Sequence, residues 1–305
     1  MAQFFQLFLL GLVLGSSTAL LAVSFSLILS VTSRFHIAYM SSYVLGAYGG
    51  VYAYNELVWP IWPSAIFGIV CALVLGVLIE LLVYRPISIG ALNRGANPLI
   101  PTFIASLGIS TLATNLISLH FNTQPQPFNL MSIAAFKIGD ATIPKFDITQ
   151  FIVAWVLIIG LWAFLRFTQR GHWIIATRSN PELSATVGIR VGRIFVLVFA
   201  IGSTIAGVLG IMQAVATSAA PGMGFDQVFY GFLVAFLAGM SSSPIRMAIV
   251  GVVIGLIADL CQYWVAPEWS NVVVFGILLV YVVYKSVSLR FPTLRLTPAA
   301  LLGRA

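Results

Sequence analysis

Nine apolar runs divide this chain, at about 5–30, 39–57, 64–83, 98–119, 149–166, 194–213, 228–240, 245–264 and 271–284. Most come close to the roughly 20 residues that an α-helix needs to cross a hydrocarbon core. A soluble domain is about 25% charged. Here the charged fraction is 8%, the hydrophobic fraction 60% and the mean hydropathy +1.04. The expected fold is therefore an all-α polytopic membrane protein with about eight or nine transmembrane helices, forming a single transmembrane domain over 1–305. The run at 228–240 is short for a full crossing and reads as a re-entrant or broken helix, which protein or a water-filled cavity must cover. The run at 98–119 opens Pro98-Leu99-Ile100-Pro101, which predicts an irregular first turn.

Charge placement sets an orientation. If the amino terminus faces outward and every run crosses, Lys137 and Lys145 are the outer members of the 15 basic residues and the rest face inward. That asymmetry is the positive-inside pattern of short loops. The net charge of +7 follows from this topology and requires no nucleic-acid partner. Trp59, Trp62, Trp264 and Trp269 fall at predicted outer helix ends, as interfacial aromatics do. Two long polar segments remain, an outer loop at 120–148, long enough for a small hairpin, and an inner loop at 166–193.

The inner loop holds a short helix signature. Ser179 reads as its N-cap and Glu182 as the partner in a capping box, with Pro181 in the first turn and Gly188 at the end. Chemistry elsewhere is sparse. There is no GxxxxGK[ST], HExxH, GxSxG or CxxC, so ATP hydrolysis and metal chemistry are not expected of this chain. Cys71 and Cys261 lie in apolar runs and read as small buried hydrophobes. His36, His120 and His172 read as separate interfacial polar residues. Glu80 is expected at the inner interface or paired with Arg85. Asp259 lies within an apolar run, where an acid is either functional or bonded to a neighbouring helix. Thr111, Asn115, Gln213 and Gln262 also place polar groups at membrane depth, as path-lining groups or as interhelical bonds.

Four stretches together resemble the permease subunits of branched-chain amino acid ABC importers, a family that also handles amides, urea and some aromatic acids. They are Glu80 to Pro86 (ELLVYRP), Pro98 to Ser110 (PLIPTFIASLGIS), Ala176 to Ile189 with Asn180-Pro181-Glu182 and Val187-Gly188-Ile189, and Ala200 to Gly210 (AIGSTIAGVLG). The resemblance implies that Ser179, Asn180, Pro181, Glu182, Val187 and Gly188 form the coupling helix seated in a cytoplasmic ATPase. It implies two ATP-binding subunits carrying ATP and magnesium, a second permease subunit that is a different homologous chain, and a periplasmic solute-binding protein. It also implies residence in a bacterial inner membrane with the carboxyl terminus cytosolic. The substrate path is expected to use some of Ser41, Ser42, Tyr43, Thr111, Asn115, Gln213 and Asp259. The alternative reading is an ion-coupled secondary transporter using Asp259 or Glu80. Departures occur at His36–Ser41 (HIAYMS for N-F-A-H-G-E), at Gly239–Arg246 and at Arg290–Thr293. The first lies near the expected path, so branched-chain amino acid specificity does not follow.

Overall fold

The computed structural model describes residues 2–128, 135–138, 141–239, 243–264, 266 and 269–290. Every apolar run is a helix. In chain order these are α1 (Ala2–Thr32), α2 (Tyr39–Asn55), α3 (Ile61–Leu78) continuing through a π segment (Ile79–Tyr84) into α4 (Arg85–Asn93), and α5 (Leu99–Phe121). A two-stranded antiparallel hairpin, β1 (Ala135–Ile138) and β2 (Ala141–Pro144), occupies the long loop. Then follow α6 (Lys145–Phe167), α7 (Gln169–Ser179), α8 (Pro181–Thr186), α9 (Val191–Ala216), α10 (Met223–Leu237), α11 (Pro244–Leu260) and α12 (Ser270–Arg290). Among the described residues, six helices are long and apolar enough to cross a membrane, while α2 at 17 residues and α10 at 15 are shorter. The turn at Gly239–Arg246 lies partly, and the segment after Arg290 wholly, outside the described residues.

Small residues decide which helices touch. The motifs Gly11-x-x-x-Gly15 and Gly251-x-x-x-Gly255 pack against each other, antiparallel, along α1 and α11. A Cβ on Gly15 would lie 2.9 Å from the Val252 Cα, and one on Gly255 would strike the Gly15 backbone. A second seam joins α2, α3 and α9, where Gly46 meets Gly207 and Gly76 meets Ser203. In lipid the tails are as apolar as leucine, so this close packing, rather than the hydrophobic effect, holds helices together.

The connector between α1 and α2 enters the bundle. Ser33 takes a left-handed turn (φ 53°) after α1, and Arg34 and His36 behind it are buried. At the π segment that follows α3, Glu80 and Tyr84 continue the buried row of Gly68, Ala72 and Gly76 at four-residue steps, both essentially inaccessible. Arg34 bonds to Glu80, and the His36 Nδ1 lies 2.8 Å from the Tyr84 hydroxyl. Two expectations are corrected here. Glu80 pairs with Arg34, not Arg85, because it lies on the buried face of its helix, where Arg34 is also buried while Arg85 is exposed. His36 is a core residue against Tyr39, Tyr84 and Phe199, not an interfacial one.

Helix α5 stands apart. Thr102, Ser106 and Ile117 face the bundle, and the Ser106 Oγ accepts the Ala38 N–H at 2.7 Å. Its other faces are largely exposed. The irregular first turn expected from Pro98 and Pro101 does not occur, since the helix is regular from Leu99. Pro101 sits in the first turn, where backbone N–H groups have no intrahelical acceptor to lose.

Candidate functional site

The loop between α6 and α9 is built by successive caps. The Thr168 Oγ1 accepts the Gly171 N–H at 3.0 Å and starts α7. Asn180, extended at φ −157° and ψ 102°, ends α7 and caps α8, its Oδ1 accepting the Leu183 N–H at 2.9 Å. The N-cap is therefore Asn180, not Ser179. A residue preceding proline is driven out of the α region, so Pro181 forces the break at 180. Ser179 remains the last residue of α7, and its Oγ donates to the Ile175 carbonyl at 3.1 Å. Glu182 lies in the first turn of α8, where a carboxylate favours the helix dipole. Gly188 takes φ +88°, as the glycine position expected there requires. The Ile189 N–H then closes the turn onto the Ser184 carbonyl at 3.0 Å.

This loop has an anchored side and a free side. Ile174, Thr177 and Ser184 are buried, and a side chain at Gly171 would strike the end of α6. Burial holds the Arg178 guanidinium below its ordinary pKa, without discharging a group titrating so high. On the free side Pro181 and Glu182 are exposed, beside Leu183 and Val187, 61% and 70% accessible. Leu183 and Val187 stand one turn apart on one face. Leu183 escaped the sequence reading, although an apolar pair at this spacing in a polar loop was its available signal.

The seven path candidates do not converge. Ser41, Ser42 and Tyr43 lie inside the bundle on α2, all buried, with Ser42 donating to the Ser203 Oγ at 3.4 Å. Thr111 and Asn115 stand on the exposed face of α5. Their polar atoms turn back on their own helix, Thr111 to the Leu107 carbonyl at 3.0 Å and Asn115 Nδ2 to the Thr111 carbonyl at 2.8 Å. Gln213 is half-buried near the end of α9 and bonds to Thr217. Asp259 lies in the last turn of α11, not deep in its run, where it accepts Gln262 Nε2 at 2.9 Å. It borders a cavity of ≈ 260 Å³ with Asp226 and Tyr230. No three His, Cys, Asp or Glu side chains gather as metal ligands among the described residues.

Residues 7–283 match the family described as branched-chain amino acid transport system / permease component. The chain belongs to that family. BraD of Pseudomonas aeruginosa, a high-affinity branched-chain amino acid transport system permease protein, is 25% identical over 289 residues, 90% of this chain and 92% of BraD. LivH of Escherichia coli K12, described in the same words, is 26% identical over 290 residues, again 90% and 92%. XylH, a xylose/arabinose import permease protein of Sulfolobus acidocaldarius, is 26% identical over 156 residues, 50% of this chain and 42% of its own. Among solved structures, PsaBC from Streptococcus pneumoniae in complex with Fab shares the fold, with TM-score 0.50 over 89% of each chain at 15% identity. Family membership makes this a multi-pass ABC permease, and the matched span takes in both the α7–α8 loop and the outlying α5.

Proposed function

We propose that this permease is the membrane-spanning subunit of an ABC importer, carrying a small amphipathic solute such as an amino acid, amide or organic acid. Separate ATP-binding subunits drive it, a second permease subunit pairs with it, and a periplasmic binding protein delivers the solute. The observation that carries the reading is α8. It is a short, capped helix between two longer ones, and it offers exposed Leu183 and Val187. An isolated helix of this length is not stable in water. Here Asn180, Pro181 and Gly188 hold it in place, as a contact element must be held.

The solute path is assigned to the exposed face of α5. Thr111 and Asn115 put a hydroxyl and an amide on that face; their donors bond back to their own helix, and their acceptor lone pairs suit a hydrated path or a partner helix better than lipid. Ser41, Ser42 and Tyr43 support that region from within, since α2 carries the Ala38 connection to Ser106. The α8 loop faces the cytosol and the hairpin loop the periplasm of a bacterial inner membrane. The ion-coupled alternative gains nothing from Glu80, because its carboxylate is engaged by Arg34.

Replacing Leu183 and Val187 together with aspartate tests the assignment. The variant should insert in the membrane at normal levels, lose co-purification with the ATP-binding subunits, and lose ATP-driven uptake. Normal uptake by the double variant would remove α8 from the coupling role.

A further inference from the structure

The end of the bundle that carries α8 also holds a positively charged recess. Arg85, at the start of α4, and Arg190 and Arg193, at the start of α9, line a cavity of ≈ 480 Å³ with Leu81 and Val196. Arg190 and Arg193 also border an adjoining recess of ≈ 460 Å³ that contains Trp173. No carboxylate lines either one. Glu80 is within electrostatic reach of Arg85 but is already bonded to Arg34. None of the three arginines forms an ion pair or side-chain hydrogen bond among the described residues. The Arg85 guanidinium rests on the first turn of α9, where a Cβ at Gly192 would lie 3.8 Å from Nη2. The positive end of the 26-residue α9 dipole adds to the same field.

Three like charges and a helix N-terminus in one recess repel each other unless an anion joins them. An apolar track identifies the kind of anion. Val70, Val74, Leu78 and Leu81 follow one another at helical spacing on the exposed side of α3 and lead to Arg85. A free anion has no use for such a wall, whereas acyl chains do. We propose that the recess binds the head group of an acidic phospholipid, its phosphate among Arg85, Arg190 and Arg193 and its chains along the α3 track. Basic pockets between spans at one membrane face are the usual setting for such head groups. Bound there, the lipid joins α3 to α9 directly beside α8. The proposal stands independently of which solute is carried and of which partners dock.

The test uses the purified full chain in detergent micelles supplied with equal small amounts of phosphatidylglycerol and phosphatidylcholine, counting retained lipid by native mass spectrometry. An arginine near an anionic lipid is worth roughly fivefold in occupancy. The wild-type chain should therefore prefer phosphatidylglycerol by on the order of 100-fold, and Arg190→Gln/Arg193→Gln by only about fivefold. Arg190→Lys/Arg193→Lys keeps the charge and should hold most of the preference, which separates loss of charge from misfolding. Arg94→Gln, outside the recess, should change nothing. Equal retention of the two lipids by the wild type, or an equal loss in the Arg94 variant, would overturn the proposal. So would arginine-dependent binding of inorganic phosphate without preference between lipids, which would assign the recess to a soluble anion.

Discussion

Replacing Glu80 with alanine should destabilise the bundle by about 3–5 kcal/mol, the cost of leaving a buried cation without its counter-charge. Arg34 and Glu80 are both buried and bonded to each other. Arg34 also lies over Phe195 of α9 at 5.1 Å and over Tyr84 at 6.0 Å. Those ring contacts contribute about 0.5–2 kcal/mol and persist in the variant, so they do not replace the lost carboxylate. Removing both charges, as Arg34→Met/Glu80→Met, should recover most of the loss. A buried ion pair and an apolar pair of similar volume are close in stability, while half a pair is not. The assay is a double-mutant cycle of Arg34→Met, Glu80→Met and the two together, on detergent-solubilised protein unfolded with a denaturing detergent. The expected coupling energy exceeds about 2 kcal/mol, above the 0.5–3 kcal/mol range's midpoint for contacting residues. A single Glu80→Ala cost below about 1 kcal/mol, or a double variant as unstable as the single, would show that water reaches this pair and would refute the reasoning.

Gly15→Leu should cost more than about 2 kcal/mol by overpacking the α1–α11 seam, read as a fall in unfolding midpoint, while the same change at Gly108, which faces open space, should cost little. On the proposed path, Thr111→Trp or Asn115→Trp should slow uptake with the folded yield unchanged. Ser42→Trp, placed in a fully buried site, should instead reduce the yield of folded protein; equal behaviour of the three would sink the distinction. Single cysteines at Gln124 and Glu182, both exposed, should react with an impermeant reagent from opposite sides of the membrane, and labelling of both from outside would refute the topology.

Helix positions were legible because a run near 20 apolar residues has few alternatives in a membrane chain. Helix facing was not. In α2, Ser41, Ser42 and Tyr43 resemble path-lining residues in one dimension, yet the glycine contacts Gly46–Gly207 and Gly49–Gly68 draw that helix into the centre and bury them. No periodicity announces this, since tyrosine, serine and glycine surround the helix on all sides. Glu80 was misassigned for a different reason. Five residues at 3.6 per turn do not bring Arg85 over Glu80, whereas four-residue steps from Gly68, Ala72 and Gly76 place Glu80 on the buried face. At the α8 loop the residue types were right and the cap was one position off, although the proline rule alone would have moved it from Ser179 to Asn180.

Asn180 has a mechanical consequence. One residue lies between α7 and α8, and after Gly188 only Ile189 and Arg190 precede α9, so the joint contains little free backbone. Helix α9 has 26 residues, about 39 Å at 1.5 Å per residue. A tilt of about 5° at its base sweeps the opposite end, near Gln213, through an arc of about 3 Å. That is comparable to the width of a water molecule, so under the coupling role proposed for α8 a small displacement there would reach the opposite end of α9 as a water-sized shift.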